Sequence, residues 1–337
     1  MPSQRQLLED EMRQIQARLQ TNKQLVQELR QGEITAGVVE AAKARVEIKQ
    51  REEQIQADLR RLGELEAEHG VAAGPGLEAE PECPRLPFES EMTPIPEGTF
   101  CMGSESANES PPHDIRLAGY CIGVFPVTNK EYADFLKARP SVSPPARNWL
   151  MRKPPKNIED HPVVNVSWRE ARAYCDWLNE KSGRDKSGPH YRLPTEAEWE
   201  RAARGRLNTR FPWGDEWRDG VCNMGGGGTT PVRQFPEGAS TFGCMDMMGN
   251  AEEWTQTIWG SQDAVSDFPY PYRSDDGRED PDAARYTVIV RRIVRGGSYA
   301  SQPGGVTNAT RRGAPEEDRL PNRGFRVAME IPPTNKV

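Results

Sequence analysis

The sequence predicts an α+β fold with long irregular connections, preceded by an α-helical coiled coil. Three observations carry this. Leu8, Met12, Ile15, Leu19, Asn22, Val26 and Leu29 step alternately by four and three residues, the spacing of a coiled-coil seam. Further on, Thr128-Asn-Lys-Glu131, Ser167-Trp-Arg-Glu170 and Thr195-Glu-Ala-Glu198 each spell a capping box. In such a box the hydroxyl satisfies one free N–H of a starting helix and the glutamate satisfies another. Between these starts the apolar runs are short and of strand length, at 98–104, 119–125, 288–294 and 324–331. Few helices, short strands and many turns are the pattern of an α+β domain.

Taken in order, the N-terminal seam places Asn22 where a polar residue sets register, and Gln31 to Gly37 interrupts it. A second seam follows at Ala41, Ile48, Glu52, Ile55, Leu59 and Leu62, with the charged Glu52 inside it. Residues 1–70 are therefore expected to form a helical hairpin or two stacked coiled-coil segments. Two helices alone bury too little apolar surface, so self-association through 1–70 is expected. Residues 71–92 are rich in Gly and Pro without periodicity and read as a linker. The remainder, 93–337, is the α+β domain. In its first helix Tyr132, Phe135 and Leu136 share a face, and in its second Trp168, Ala171, Cys175 and Leu178 do.

Several classes of function are disfavoured. No apolar run approaches the roughly 18 residues of a membrane span, and MPSQRQLLEDEM lacks the apolar core of an export signal, so a cytoplasmic chain with no membrane partner is expected. A net charge of -7 argues against a nucleic-acid partner. Cys83, Cys101, Cys121, Cys175, Cys222 and Cys244 form no CxxC pair, and without an export signal they are expected to be reduced thiols. The four histidines are scattered in ways that suit neither zinc nor iron.

The last zone resembles the formylglycine-generating enzyme (sulfatase-modifying factor) family. The matching segments run in family order: IPEGTFCMGS (95–104), FPVTNKEYADFL (125–136), HPVVNVSWREARAYCDWLN (161–179), YRLPTEAEWERAARG (191–205), FPWGDEW (211–217), MMGNAEEW (247–254), RGGSY (295–299) and GFRVA (324–328). The resemblance implies a variant of the C-type lectin fold. Trp168, Trp199 and Trp213 in these motifs are expected in the core.

The resemblance also implies a structural calcium. Asp246, Gly249, Ala251 and Glu253 offer spaced carboxylate and carbonyl oxygens of the kind a hard cation takes. A second calcium loop of the family is shortened here to Cys222-Asn223-Met224 and a glycine run, without its acidic ligand. The family's oxidase chemistry uses two cysteines to bind Cu(I). Counted from Tyr299, those positions fall on Ser301 and Val306, neither of which supplies a thiolate. No copper is expected, and no catalytic residue is assigned. Glu252 stands where the family has an aromatic beside its substrate groove.

The expected function is thus a non-catalytic module that binds a protein or peptide ligand. Its surface is expected between GGSY and GFRVA: Ser298, Tyr299, Ala300, Ser301, Gln302, Thr307, Asn308, Thr310, Arg312, Glu316, Asp318, Leu320 and Asn322, with Glu252 beside them. The layout is also similar to the variable proteins of diversity-generating retroelements, whose diversified segment ends at a C-terminal GFRVA. The alternatives are an oxidoreductase of the family with an atypical active site and a regulatory adaptor subunit.

Overall fold

The computed structural model describes scattered positions between 11 and 61, then 83, 86, 88–146, 148–185, 187–205, 208–282 and 289–331. The chain divides into two compact units, Met1–Leu77 and Glu78–Val337. In the first, every described residue is helical. Arg61 pairs with Glu11 at 3.0 Å, Arg18 with Asp58 at 2.8 Å, and Arg51 donates to Asn22 Oδ1 at 3.0 Å. As one partner's number rises the other's falls, so these two helical stretches run antiparallel. Asn22, expected to set register, thus meets an arginine of the opposing stretch. Ile15, also of the first seam, is helical and buried; Leu8, Met12, Leu19, Val26 and Leu29, the 31–37 break and every position of the second seam lie outside the described residues.

The second unit is built on three sheets. The first, ordered β1-β4-β10-β5, comprises β1 (Met92–Ile95), β4 (Tyr120–Gly123), β10 (Ala328–Glu330) and β5 (His190–Arg192). A ribbon pairs β2 (Gly98–Met102) with β3 (His113–Leu117). The third is ordered β8-β7-β6-β9: β8 (Arg311–Pro315), β7 (Arg291–Arg295), β6 (Glu252–Gly260) and β9 (Arg323–Phe325). There β9 lies parallel to β6, and the other pairs are antiparallel. The apolar run 324–331 is thus two strands: Arg326 and Val327 break it, and the chain passes from the third sheet to the first.

All three capping boxes form, at α1 (Asn129–Ala138), α2 (Trp168–Ser182) and α3 (Glu196–Arg204). Thr128, Ser167 and Thr195 each accept the N–H of the glutamate three residues on, and that glutamate accepts theirs. The buried face of α1 holds Tyr132, Phe135 and Leu136, and that of α2 holds Trp168, Ala171, Cys175 and Leu178, as their spacing predicts. These faces meet Trp254, Val294 and Phe325 of the third sheet in the main core. Trp168, Trp199 and Trp213 are all buried.

One expectation is overturned. Cys83 and Cys121 are joined by a disulfide, with Cα atoms 5.8 Å apart, while Cys101, Cys175, Cys222 and Cys244 are free. Spacing could not show this, because the partners are 38 residues apart and meet only when β4 is in place. The bond ties the segment before β1 to the core. It is helped by Glu89, whose buried carboxylate accepts from Leu86 N–H at 2.7 Å and pairs with Arg184 at 3.2 Å. Persistent disulfides belong to oxidising compartments, so the cysteines no longer argue for a cytoplasmic home. No helix among the described residues is long and apolar enough to cross a membrane.

Candidate functional site

The site begins where β7 ends. Gly296 and Gly297 both take left-handed backbone, φ +85 and +65, which only glycine adopts without cost. They turn the chain onto Ser298, whose buried hydroxyl oxygen accepts from Asn322 Nδ2 at 3.0 Å. Ser301 Oγ accepts the Ser298 N–H at 3.0 Å. A Cβ built on Gly297 would lie 3.0 Å from both Ser301 Oγ and Val306 Cγ2. The two positions expected to carry a cysteine pair therefore do converge, about one point of the backbone. They bring a hydrogen-bonded hydroxyl and an isopropyl group, and Val306 packs at the edge of a cluster with Phe211, Trp213, Val221 and Met248.

A second loop lies alongside. Gly225 N–H donates to Ser301 O at 3.0 Å and Gly226 N–H to Tyr299 O at 2.9 Å. Asn250 anchors both loops. Its carbonyl accepts Tyr299 N–H at 3.1 Å, and its side-chain oxygen accepts Thr230 N–H at 2.9 Å. Neither 224–230 nor 299–310 contains a charged side chain.

Beyond Thr310 the chemistry changes. Glu252, at the start of β6, is buried, with Arg323 Nε at 2.7 Å on one oxygen and Arg312 Nε at 3.1 Å on the other. The Arg323 side chain is 1% exposed and that of Arg312 54%. Arg323 also reaches Asp318 at 3.4 Å. Glu316 holds Arg292 at 2.7 Å and Arg169 at 3.1 Å, and Arg319 pairs with Glu170. Deeper still, Arg326 grips Glu253 through two bonds of 2.6 and 2.7 Å, and Arg295 meets Glu200 at 2.5 Å. Burial alone would raise the Glu200 carboxyl, but Arg295 and Arg204 hold it below its ordinary value.

The expected surface residues separate accordingly. Ala300, Gln302 and Arg312 are exposed, while Tyr299, Ser301, Thr307, Thr310, Asp318, Leu320 and Asn322 are half-buried. Glu252, Ser298, Asn308 and Glu316 lie beneath the surface. Asn308 is wholly interior and donates to Thr209 O at 3.0 Å, so it braces the loop from behind. Sequence reasoning passed over Arg323 and Arg326, although both stand in the NRGFRVA stretch. It also read the glycine run 225–228 as a shortened cation loop, where the structure makes it one wall of the site.

The calcium set does not fit as placed. Glu253 faces the core, with Trp199 Nε1 at 2.8 Å added to the two bonds from Arg326, so its oxygens are spent on cationic and N–H donors. Asp246 accepts from Asn250 Nδ2 at 2.9 Å, and burial lifts its carboxyl to about 7. Among the described residues no group of three or more His, Cys, Asp and Glu could hold a metal ion. The physical reason lies in the alternation of β6: Glu252 turns to Arg312 and Arg323, and Glu253 to the opposite side and Arg326.

With this geometry in view, comparison with known proteins is informative. Residues 79–331 match the sulfatase-modifying factor enzyme 1-like domain. The inactive C-alpha-formylglycine-generating enzyme 2 of Mus musculus is 29% identical over 73% of this chain and 89% of its own length. The serine/threonine-protein kinase Pkn1 of Chlamydia trachomatis serovar L2 is 32% identical over 73% of this chain, which spans only 39% of that kinase. Among solved structures, PvdO from Pseudomonas aeruginosa superposes with a TM-score of 0.56 at 26% identity, over 73% of this chain and 96% of PvdO. Treponema denticola variable protein 1 gives a TM-score of 0.55 at 22% identity over 70% of this chain and 94% of its own, a likeness of fold. From the TEAEW helix to the arginines of RGGSY and GFRVA, the described domain is of one kind: the chain belongs to the sulfatase-modifying factor enzyme 1-like family.

Proposed function

We propose that the chain is a non-catalytic binding module that takes a protein or peptide ligand on the surface formed by 299–322 and the facing loop 224–230. The observation that carries this is the convergence of Ser301 and Val306 about Gly297. The family's frame is intact, yet the two positions that would hold Cu(I) offer no soft ligand. The likeness to a relative named as inactive supports the same reading. Self-association through residues 1–70 would make such a module multivalent, and many weak contacts would then add to useful avidity. Diversification of 300–323 is a narrower form of the proposal, tested by sequencing the same locus in sibling strains.

Copper titration tests the central claim. The purified full chain should compete poorly for Cu(I) against a chromogenic chelator and consume no oxygen with a cysteine peptide. Tight stoichiometric Cu(I) binding with oxygen uptake would establish the oxidoreductase alternative instead. Deleting 1–70 separates binder from adaptor: a binder keeps its monovalent affinity, whereas an adaptor loses its partner.

A further inference from the structure

A second surface lies well outside this site. Between α1 and α2 the chain makes a short turn, Leu150–Arg152, in which Met151 and Arg152 are successive non-glycine residues with positive φ, 49 and 65. L-residues avoid that backbone, and it persists only where neighbours enforce it. Here they do. Trp149 is buried, edge-on to Tyr132 at 6.5 Å. The Arg152 guanidinium donates to Leu136 O at 3.0 Å, to Arg139 O at 3.1 Å and to Val142 O, closing the end of α1. The result is to push Leu150 and Met151 outward, 78% and 93% exposed. A hydrophobic pair held in solvent by a braced, strained turn is not what folding alone would select.

The surroundings say what covers it. Lys153 and Lys156 follow on the same segment, exposed and without an ion pair among the described residues. Glu159, half-buried, and Asp160, exposed, close the segment beyond the lysines, where their backbone carbonyls accept from Lys130 and Val232 N–H. Two apolar tips are too few for the core of a stable protein interface, which needs about 800 Å² on each side. A convex apolar tip with a basic collar does suit the boundary between headgroups and acyl chains, where lysines meet anionic lipid. We propose that Leu150 and Met151 insert into the surface of an anionic bilayer, with Lys153 and Lys156 against its headgroups. This is a peripheral contact, distinct from the spanning helix that the sequence excludes.

Sedimentation of the full chain with vesicles tests it. The protein should pellet with phosphatidylcholine vesicles containing about one-third phosphatidylserine, and weakly with phosphatidylcholine alone. The double substitution Leu150→Ser with Met151→Ser should lower the partition coefficient roughly tenfold, and Lys153→Glu with Lys156→Glu should do the same. Met151→Trp, which keeps the apolar tip, should raise it. No pelleting with the anionic vesicles would overturn the proposal. So would pelleting that survives the double serine substitution in a protein whose thermal unfolding is unchanged, and a protein pocket would then be the occupant to seek.

Discussion

The chain from Tyr299 to Asn322 makes two faces of opposite character. Up to Thr310 it has no charge, and it is held to the glycine loop by backbone hydrogen bonds. From Arg311 onward nearly every other residue is charged, and the described pairs are internal: Arg312 and Arg323 on Glu252, Arg292 on Glu316, Arg319 on Glu170. The exposed side chains of the first face, Ala300 and Gln302, carry little of the fold, while Val306 and Asn308 hold it from beneath. The second is frame as much as surface, since most of its arginines are anchored beneath it. A ligand that reads side chains should therefore depend on the uncharged half, with Arg312, Glu317 and Arg319 the exposed charged exceptions.

The largest test of this division is Arg326→Ala. It strands Glu253, which is wholly buried, and removing one partner of such a pair costs about 3–5 kcal/mol. Gln302→Ala, on the exposed uncharged face, should change stability by less than about 0.5 kcal/mol. Urea unfolding of the two variants reads the contrast, and similar losses would erase it.

A double-mutant cycle sharpens it inside one cluster. Glu252 bonds two arginines that differ in exposure, 1% for Arg323 and 54% for Arg312. Coupling of Glu252→Gln with Arg323→Met should reach about 2 kcal/mol, within the range for groups sharing a buried network. Coupling with Arg312→Met should stay near or below about 1 kcal/mol, as for exposed pairs. Equal couplings would show that the boundary between frame and surface is misplaced.

Much of this was legible in the residues, and the limits have physical causes. The three helices were written in Thr128, Ser167 and Thr195, because a capping box is a local code that tertiary context rarely overrides. The positions of Ser301 and Val306 followed from family order, counted from Tyr299; that both approach Gly297 is shown only by the structure. What escaped was non-local. Alternation along β6 decides that Glu252 and Glu253 meet different arginines, and no spacing within MMGNAEEW reveals those arginines. The Cys83–Cys121 bond likewise joins a segment without periodicity to a strand centre. The burial of Asn308 and Glu316 escaped for the same reason: polar residues between two motifs look like surface until the elements behind them are placed.

The pH dependence of stability separates frame from surface by titration. Burial lifts the carboxyls of Asp246 and Glu279 to about 7. The hydroxyls of Thr257 and Tyr272 donate to Glu279 Oε1 at 2.7 and 2.8 Å and pull its carboxyl down, but burial outweighs them. Their native values lie above those of the unfolded chain, near 4, so the native state binds more protons between. This contribution is fully present below about pH 4 and is lost as pH rises through about 7. Glu89, Glu198 and Glu200 are held below their ordinary value despite burial, so their contribution is lost on the acid side. Thermal unfolding should therefore occur a few degrees higher at pH 5 than at pH 7.5, at about 2–4 °C per kcal/mol for a domain of this size. Glu279→Gln, neutral throughout, should flatten that slope. A slope of opposite sign would mean that the paired glutamates dominate even in this window.

The smallest expected effect is the most telling about binding. Gly313 needs to be glycine: a Cβ there would enter the Trp259 ring, and overpacking of that kind costs about 1–3 kcal/mol. Gly227 and Gly228 do not, because a Cβ on either meets nothing within 4 Å and neither has a left-handed φ. Alanine at 227 or 228 should leave stability unchanged or raise it by up to about 1 kcal/mol, through the lower entropy of the unfolded chain. If these glycines serve the uncharged face, their use is to let a ligand approach the backbone closely. Binding measured with the same variants should then fall while the melting temperature holds or rises. A loss of stability at 227 or 228 comparable to that of Gly313→Ala would place this loop with the frame, and the ligand surface would shrink to the other wall of the groove.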